Sequence, residues 1–219
     1  MSGIVGSRLN IRGSGLVGSL GTDGQIFTSS GAGAGAVFED AAGGGMGSLL
    51  TTATASSSAA LNFTSDVDSS YSVYLFILND IDLSADTIFN CRFYIGGSLH
   101  TGSDYSVGGQ QFDSADVAQP LDGDGLATAH LHNRGLNGEA DATKNLSGHV
   151  WLFNPSNTSS FQLLTSTLNH ISTGGASMTR VYSGAALLAT GTACTGISFY
   201  PTSGSIDSGT IRMYGMNAS

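Results

Sequence analysis

The sequence predicts an all-β protein: an antiparallel β-sandwich of jelly-roll type preceded by an extended, glycine-rich N-terminal arm. Three observations predict it. The run YSVYLFILNDIDL sets Tyr71, Val73, Leu75 and Ile77 on one face and Tyr74, Phe76 and Leu78 on the other, so it reads as a strand apolar on both sides and therefore central. Short apolar runs of the same kind recur between turn-rich segments along the rest of the chain, and no window carries an amphipathic helical period. The first 46 residues contain glycine and scattered single hydrophobes with no period long enough to make a core.

Taken in order, residues 1–46 form the arm and 47–219 the sandwich domain. Ile4, Val5, Leu9, Ile11, Leu16, Val17, Leu20, Ile26, Phe27, Val37 and Phe38 still need burial, which equivalent arms of other subunits or a partner surface would supply. Gly15, Gly18, Gly21 and Gly24 repeat every third residue, but the triplets hold no proline and are too few for a collagen helix. The segment AAGGGMGSLLTTATASSSAA is alanine-rich, yet its glycines and its Ser/Thr run favour extended structure or loop over helix. After the YSVYLFILNDIDL strand come IFNCRFYIGG, GLATAHLHN, LSGHVWLFNPS, FQLLTSTLNHIS, MTRVYSGAALLA, GISFYPTSG and GTIRMYGM. Turn chemistry separates them, in GGSLHTGSD, LDGDG, NRGLNGE, NPSNTSS, STGGAS and TSGSIDSG among others. Eight to ten strands are expected.

Composition narrows the function classes. The chain has 219 residues, enough for one substantial domain plus an appendage. Its charged fraction is 11%, against about 25% in ordinary soluble proteins, so the surface is largely uncharged and hydroxyl-rich. A net charge of −9 argues against nucleic acid or an anionic membrane as partner. No apolar run reaches membrane-spanning length, and the N-terminus lacks the apolar region of a signal peptide, which points to folding in a cytosol. The two cysteines, Cys91 and Cys194, sit in apolar strand-like runs and read as buried free thiols. The sequons at Asn62, Asn145, Asn157 and Asn217 carry no weight in that setting.

No motif assembles a catalytic or cofactor site. GSGLVG at 13–18 fits the dinucleotide-binding pattern, with Glu39 and Asp40 beyond it, but SLGTDGQIFTSSGAGAGAV cannot begin the helix that holds the phosphate. His130 and His132 alternate in AHLHN and would face the same side of a strand, where copies around a threefold axis could share a metal; surface or interface hydrogen bonding is the plainer reading. Asp122 and Asp124 only begin a calcium-loop spacing and read as turn residues, as do the acids of LNDIDLSAD. There is no G-x-S-x-G elbow and no cysteine–histidine arrangement. The chain is therefore expected not to be an enzyme and to hold no cofactor. Tyr71, Tyr74, Tyr94, Tyr105, Tyr182, Tyr200, Tyr214 and Trp151 are expected mostly in the core. Tyr105, in the polar stretch HTGSDYSVGGQQ, is singled out as a sugar-stacking residue.

Two stretches then bear a resemblance. GSLGTDGQIFTSSGAGAGAVFED resembles the G-x-x-G-Q-V-L-T-S-x-G-A-G-x-x-P-x-W linker of tail-fibre and other fibrous virion proteins of tailed bacteriophages. Gly24, Gln25, Thr28, Ser29, Gly31, Ala32 and Gly33 match it, Ile26 and Phe27 replace the usual apolar pair, and the proline and tryptophan are absent. ISFYPTSGSIDSGTIRMYGM resembles the closing strands of virion proteins common in marine and freshwater phages. SSSAALNFTSDVDSSYSVYLFIL looks like the opening of the same domain, and HVWLFNPSNTS like its middle strand. The resemblance implies a virion structural protein assembled in the host bacterial cytoplasm. It implies a homotrimer whose arm attaches to other virion proteins and whose sandwich faces outward. A tail or tail-fibre component contacting the host surface is expected, with a capsid decoration or head-fibre protein and a carbohydrate-binding receptor module as the alternatives.

Overall fold

The computed structural model describes residues 25–28, 37–40, 47–113, 118–132, 145–171, 178–188 and 191–216. The chain divides into two compact units, Met1–Met46 and Gly47–Ser219. In the first, β1 (Gln25–Thr28) pairs antiparallel with β2 (Val37–Asp40), Phe27 standing opposite Phe38. No strand period is legible in the sequence there. The pair forms where β-prone residues, Ile26-Phe27 and Val37-Phe38, flank a glycine-rich connection. The GSGLVG hexamer and the glycine triplets lie outside the described residues.

The second unit is all-β, with no helix among its described residues and two antiparallel sheets. Its strands are β3 (Ser48–Thr54), β4 (Leu61–Phe63), β5 (Val73–Leu83), β6 (Phe89–Ile95), β7 (Ser98–Leu99), β8 (Tyr105–Asp113) and β9 (Ala118–Leu126). There follow β10 (Ala129–His130), β11 (Leu146–Phe153), β12 (Gln162–Ile171), β13 (Met178–Leu187), β14 (Cys194–Pro201) and β15 (Ile206–Met216). The larger sheet runs β3-β15-β5-β11-β12-β13-β8-β9; the smaller runs β10-β6-β14-β4, with β7 on β6. Seven of the expected strands coincide with β5, β6, β11, β12, β13, β14 and β15. The alanine-rich run that could pass for a helix supplies β3 instead.

Alternation places the core between the sheets. From β5 come Tyr74, Phe76 and Leu78, all buried, and the paired β15 adds Ile211 and Met213. Phe63, Phe89, Phe93 and Phe199 close on them from the smaller sheet. Phe76 stands edge-on to Phe63 with centroids 5.3 Å apart and to Phe199 at 5.4 Å. Each such ring, fully withdrawn from water, contributes about 1.5–3 kcal/mol, so this cluster is the main tie between the sheets. Where β5 and β15 lose register, Asp80 (φ 52°) and Gly209 (φ 110°) form a bulge. A Cβ on Gly209 would lie 2.4 Å from the Asp80 carbonyl oxygen, so the close approach requires glycine there.

Three sequence readings are corrected by this architecture. LDGDG is part of the edge strand β9 rather than a turn, and YSVGGQQ is β8 rather than a loop. Their glycines and polar residues look like turn text, but the pairing of β8 with β13 on one side and β9 on the other draws them into the ladder. β3, β4, β8 and β9, with the two-residue strands β7 and β10, raise the total among the described residues of this unit to thirteen, above the eight to ten expected.

Candidate functional site

Register lines up the side chains on the outer face of the larger sheet, the face turned away from the core. One row reads Tyr214, Leu75, Trp151, Thr165, Gly184 and Gly108 across β15, β5, β11, β12, β13 and β8. A neighbouring row reads Met216, Val73, Phe153, Leu163, Ala186 and Ser106. On the other side lie Arg212, Ile77, His149, Thr167, Tyr182 and Gln110. This face is unusually apolar for one turned outward. Leu163 is 50% exposed, Phe112 42% and Tyr182 41%, whereas an antiparallel sheet of this kind commonly alternates to polar residues on the outside.

Toward β12, β13 and β8 the face sinks into a trough. One depression, of about 610 Å³, is bordered by Gly108, Gln110, Phe112, Thr165, Thr167 and Tyr182. A second, of about 380 Å³, adjoins it through Gly108 and Thr165 and is bordered by Phe153, Leu163 and Ala186. The Tyr182 and Phe112 rings meet edge to face with centroids 6.4 Å apart and form one wall. The floor is low because Gly184 and Gly108 stand opposite each other with no side chains. Among the described residues no lining residue of either depression is charged, and in the register Arg180 of β13 stands opposite Phe112. The nearest carboxylate in the register is Asp122, opposite Gly108 on β9.

The residues singled out from sequence fall elsewhere. Tyr105 is not a surface stacking residue: β8 turns it inward, it is wholly buried, and its hydroxyl accepts the Phe93 N–H at 2.9 Å. Its ring packs on Phe93 at 5.8 Å, and burial pushes its phenol pKa up. The exposed aromatics of the same sheet are Phe112 of β8 and Tyr182, which pairs with Gln110 of β8. Tyr74 also belongs to the core, where its hydroxyl accepts the Asp68 N–H at 3.0 Å and fixes the turn ahead of β5.

His130 and His132 do not present a paired surface. β10 ends at His130, so strand alternation stops before His132. His130 is half-buried, and that burial lowers its pKa. His132 is fully buried, accepts the Phe89 N–H on Nε2 at 2.8 Å, and lies 5.5 Å ring to ring from His170 of β12. Sequence reasoning missed His170, which is distant along the chain and carries no spacing signal. Among the described residues no group of three or more His, Cys, Asp or Glu side chains is placed to hold a metal ion. Asp124 of the expected acidic turn bonds to the Ser106 hydroxyl in the β8–β9 hairpin. Glu39 and Asp40 lie in β2.

Cys91 and Cys194 are buried free thiols, as the sequence predicts. Burial raises both pKa values, that of Cys194 to about 11, so neither is a reactive thiolate at neutral pH. No described helix is long and apolar enough to cross a membrane. No protein-family model, curated protein or solved structure gives a significant match to this chain.

Proposed function

We propose that the chain is a virion structural protein of a tailed bacteriophage. In this reading it is a trimeric tail or tail-fibre component, assembled in the host cytoplasm, that is exposed on the particle and contacts the host surface. The observation that carries it is the linker-like run GTDGQIFTSSGAGAG ahead of an all-β domain. The strand order supports it. β3-β15-β5-β11 faces β4-β14-β6-β10, and successive strands β3, β4, β5 and β6 alternate between the sheets, as do β14 and β15. We read this as jelly-roll connectivity, with β7–β9 and β12–β13 inserted into it to widen one sheet. A widened, partly apolar outer face with few charged side chains suits a module whose work is contact rather than catalysis.

Purified particles labelled with a gold-conjugated antibody raised against the whole chain test this reading. Label on the tail is expected. Label confined to the capsid lattice assigns the chain to capsid decoration, and particles without label overturn the virion reading. Mass photometry of the purified chain should give the mass of a trimer; a monomer mass removes that part of the proposal. The carbohydrate-binding alternative is favoured by one specific observation, the aromatic-walled trough of the larger sheet.

A further inference from the structure

We infer that the trough over β12, β13 and β8 is a binding site for a neutral polysaccharide. The inference rests on the reading of the chain as an exposed host-contacting module, and it names the site and the ligand class. Sugar rings present C–H faces that lie against aromatic rings and hydroxyl rims that need hydrogen-bonding partners. Both requirements are met within one depression. Tyr182 and Phe112 expose about two fifths of their surface beside each other, in the edge-to-face pair described above. Gln110, Thr165 and Thr167 border the same depression, and their side chains hold no hydrogen bond to any described residue. The contrast with the smaller sheet is direct, since there the outward Asn90, Arg92 and Tyr200 are already bonded to Thr202, Ala127 and Thr128.

The floor gives independent support. A Cβ on Gly108 would meet nothing within 4 Å, and one on Gly184 would meet only carbonyl oxygens at 3.6 and 3.9 Å. Neither glycine has a left-handed backbone, so neither packing nor conformation requires it. Glycine inside a strand weakens the strand, and its presence often marks a place where a ligand comes close to the backbone. Charge selects the ligand class. Among the described residues the lining offers no cation, Asp122 stands opposite Gly108 on the adjoining strand, and the chain carries −9 overall; the one basic residue set beside the trough by register, Arg180 opposite Phe112, is outweighed by that net charge, which disfavours uronic or sialic acids.

The test uses the full chain in affinity electrophoresis and calorimetry against dextran, mannan, laminarin and amylose, with alginate and hyaluronan as anionic counterparts. One or more neutral polymers should bind and the anionic ones should not. Tyr182→Ala should weaken binding about tenfold, the scale of one lost stacking contact. Gly108→Val should abolish it by filling the floor, with thermal stability at or above that of the parent. The inference is overturned if none of the neutral polymers binds, or if binding survives both substitutions in folded protein. It is also overturned if Tyr182→Ala and Gly108→Val instead change the oligomeric mass, which would make the face an interface between copies. Antibody labelling separates this outcome from the virion reading: labelled particles with no polysaccharide binding sink only the trough, and binding by a chain absent from particles sinks only the virion assignment.

Discussion

The two outward faces of the sandwich are built on opposite plans. On the smaller sheet the outward side chains are polar and committed to one another. The Arg92 guanidinium sits 5.1 Å above the Tyr200 ring while its Nε donates to the Ala127 carbonyl at 2.8 Å, and Tyr200 donates to Thr128 at 2.8 Å. Asn90, although outward-facing, is almost fully buried under such contacts. On the larger sheet the outward face carries more exposed apolar side chains, Leu163, Phe112 and Tyr182 among them, and even buried Leu75 stands apart from the core cluster. One face is tied together by hydrogen bonds of its own; the other presents exposed rings beside the Thr165 and Thr167 side chains. The lesson is that outward position alone does not decide whether a strand face is a surface or a site.

Substitutions can break this contrast, beginning with the core that both faces share. Phe76→Ala should cost about 3–5 kcal/mol, since it empties the space between Phe63 and Phe199. Urea unfolding followed by tryptophan fluorescence measures it, and a loss below about 1 kcal/mol would show that the sheets are held by something other than this cluster. Alkali acts on the same interior. The unfolded Cys194 thiol ionises near 9 and the folded one near 11, so its contribution is full below pH 9 and is lost as pH rises through 11. A shift of that size is worth roughly 3 kcal/mol. The buried Cys91 and Tyr105 act in the same direction. The urea midpoint should therefore fall between pH 9 and 11, less steeply in Cys194→Ala than in the parent.

Neighbouring glycines on β8 sharpen the contrast further. Gly109 faces inward, and a Cβ there would lie 2.2 Å from the Tyr182 carbonyl oxygen, whereas Gly108 opens onto empty space. Gly109→Val should lose about 1–3 kcal/mol by overpacking; Gly108→Val should lose nothing and should gain slightly from β propensity. Equal effects from the two would mean that β8 does not lie with Gly108 outward. On the finished face the expected effect is on stability alone. Arg92→Ala removes one cation–π contact and one hydrogen bond, about 1–2 kcal/mol together, and should leave polysaccharide binding unchanged.

What could be read from the sequence follows the strength of alternation. β5 announces itself because both its faces are apolar, and β12 because Leu164 and Leu168 alternate with Thr165 and Thr167. β8 and β9 do not, because glycine, glutamine and aspartate dominate them and local chemistry favours turns; long-range pairing with β13 overrides it. Tyr105 reads as a surface residue for that reason, its neighbours in sequence being polar while its own direction is inward. The trough was beyond reach altogether. Its walls come from β8, β12 and β13, and only their register brings Phe112, Thr165 and Tyr182 to one place. The histidine pair has the same character, since His132 finds His170 through packing and not spacing.

Hydroxyl-radical footprinting of the full chain, free and with the neutral polysaccharide that binds it best, compares the two faces in one experiment. The account predicts protection at Phe112, Leu163 and Tyr182 and unchanged reactivity at Tyr94 and Tyr200. Protection at Tyr94 and Tyr200 in their place, or no protection on either face, would contradict it.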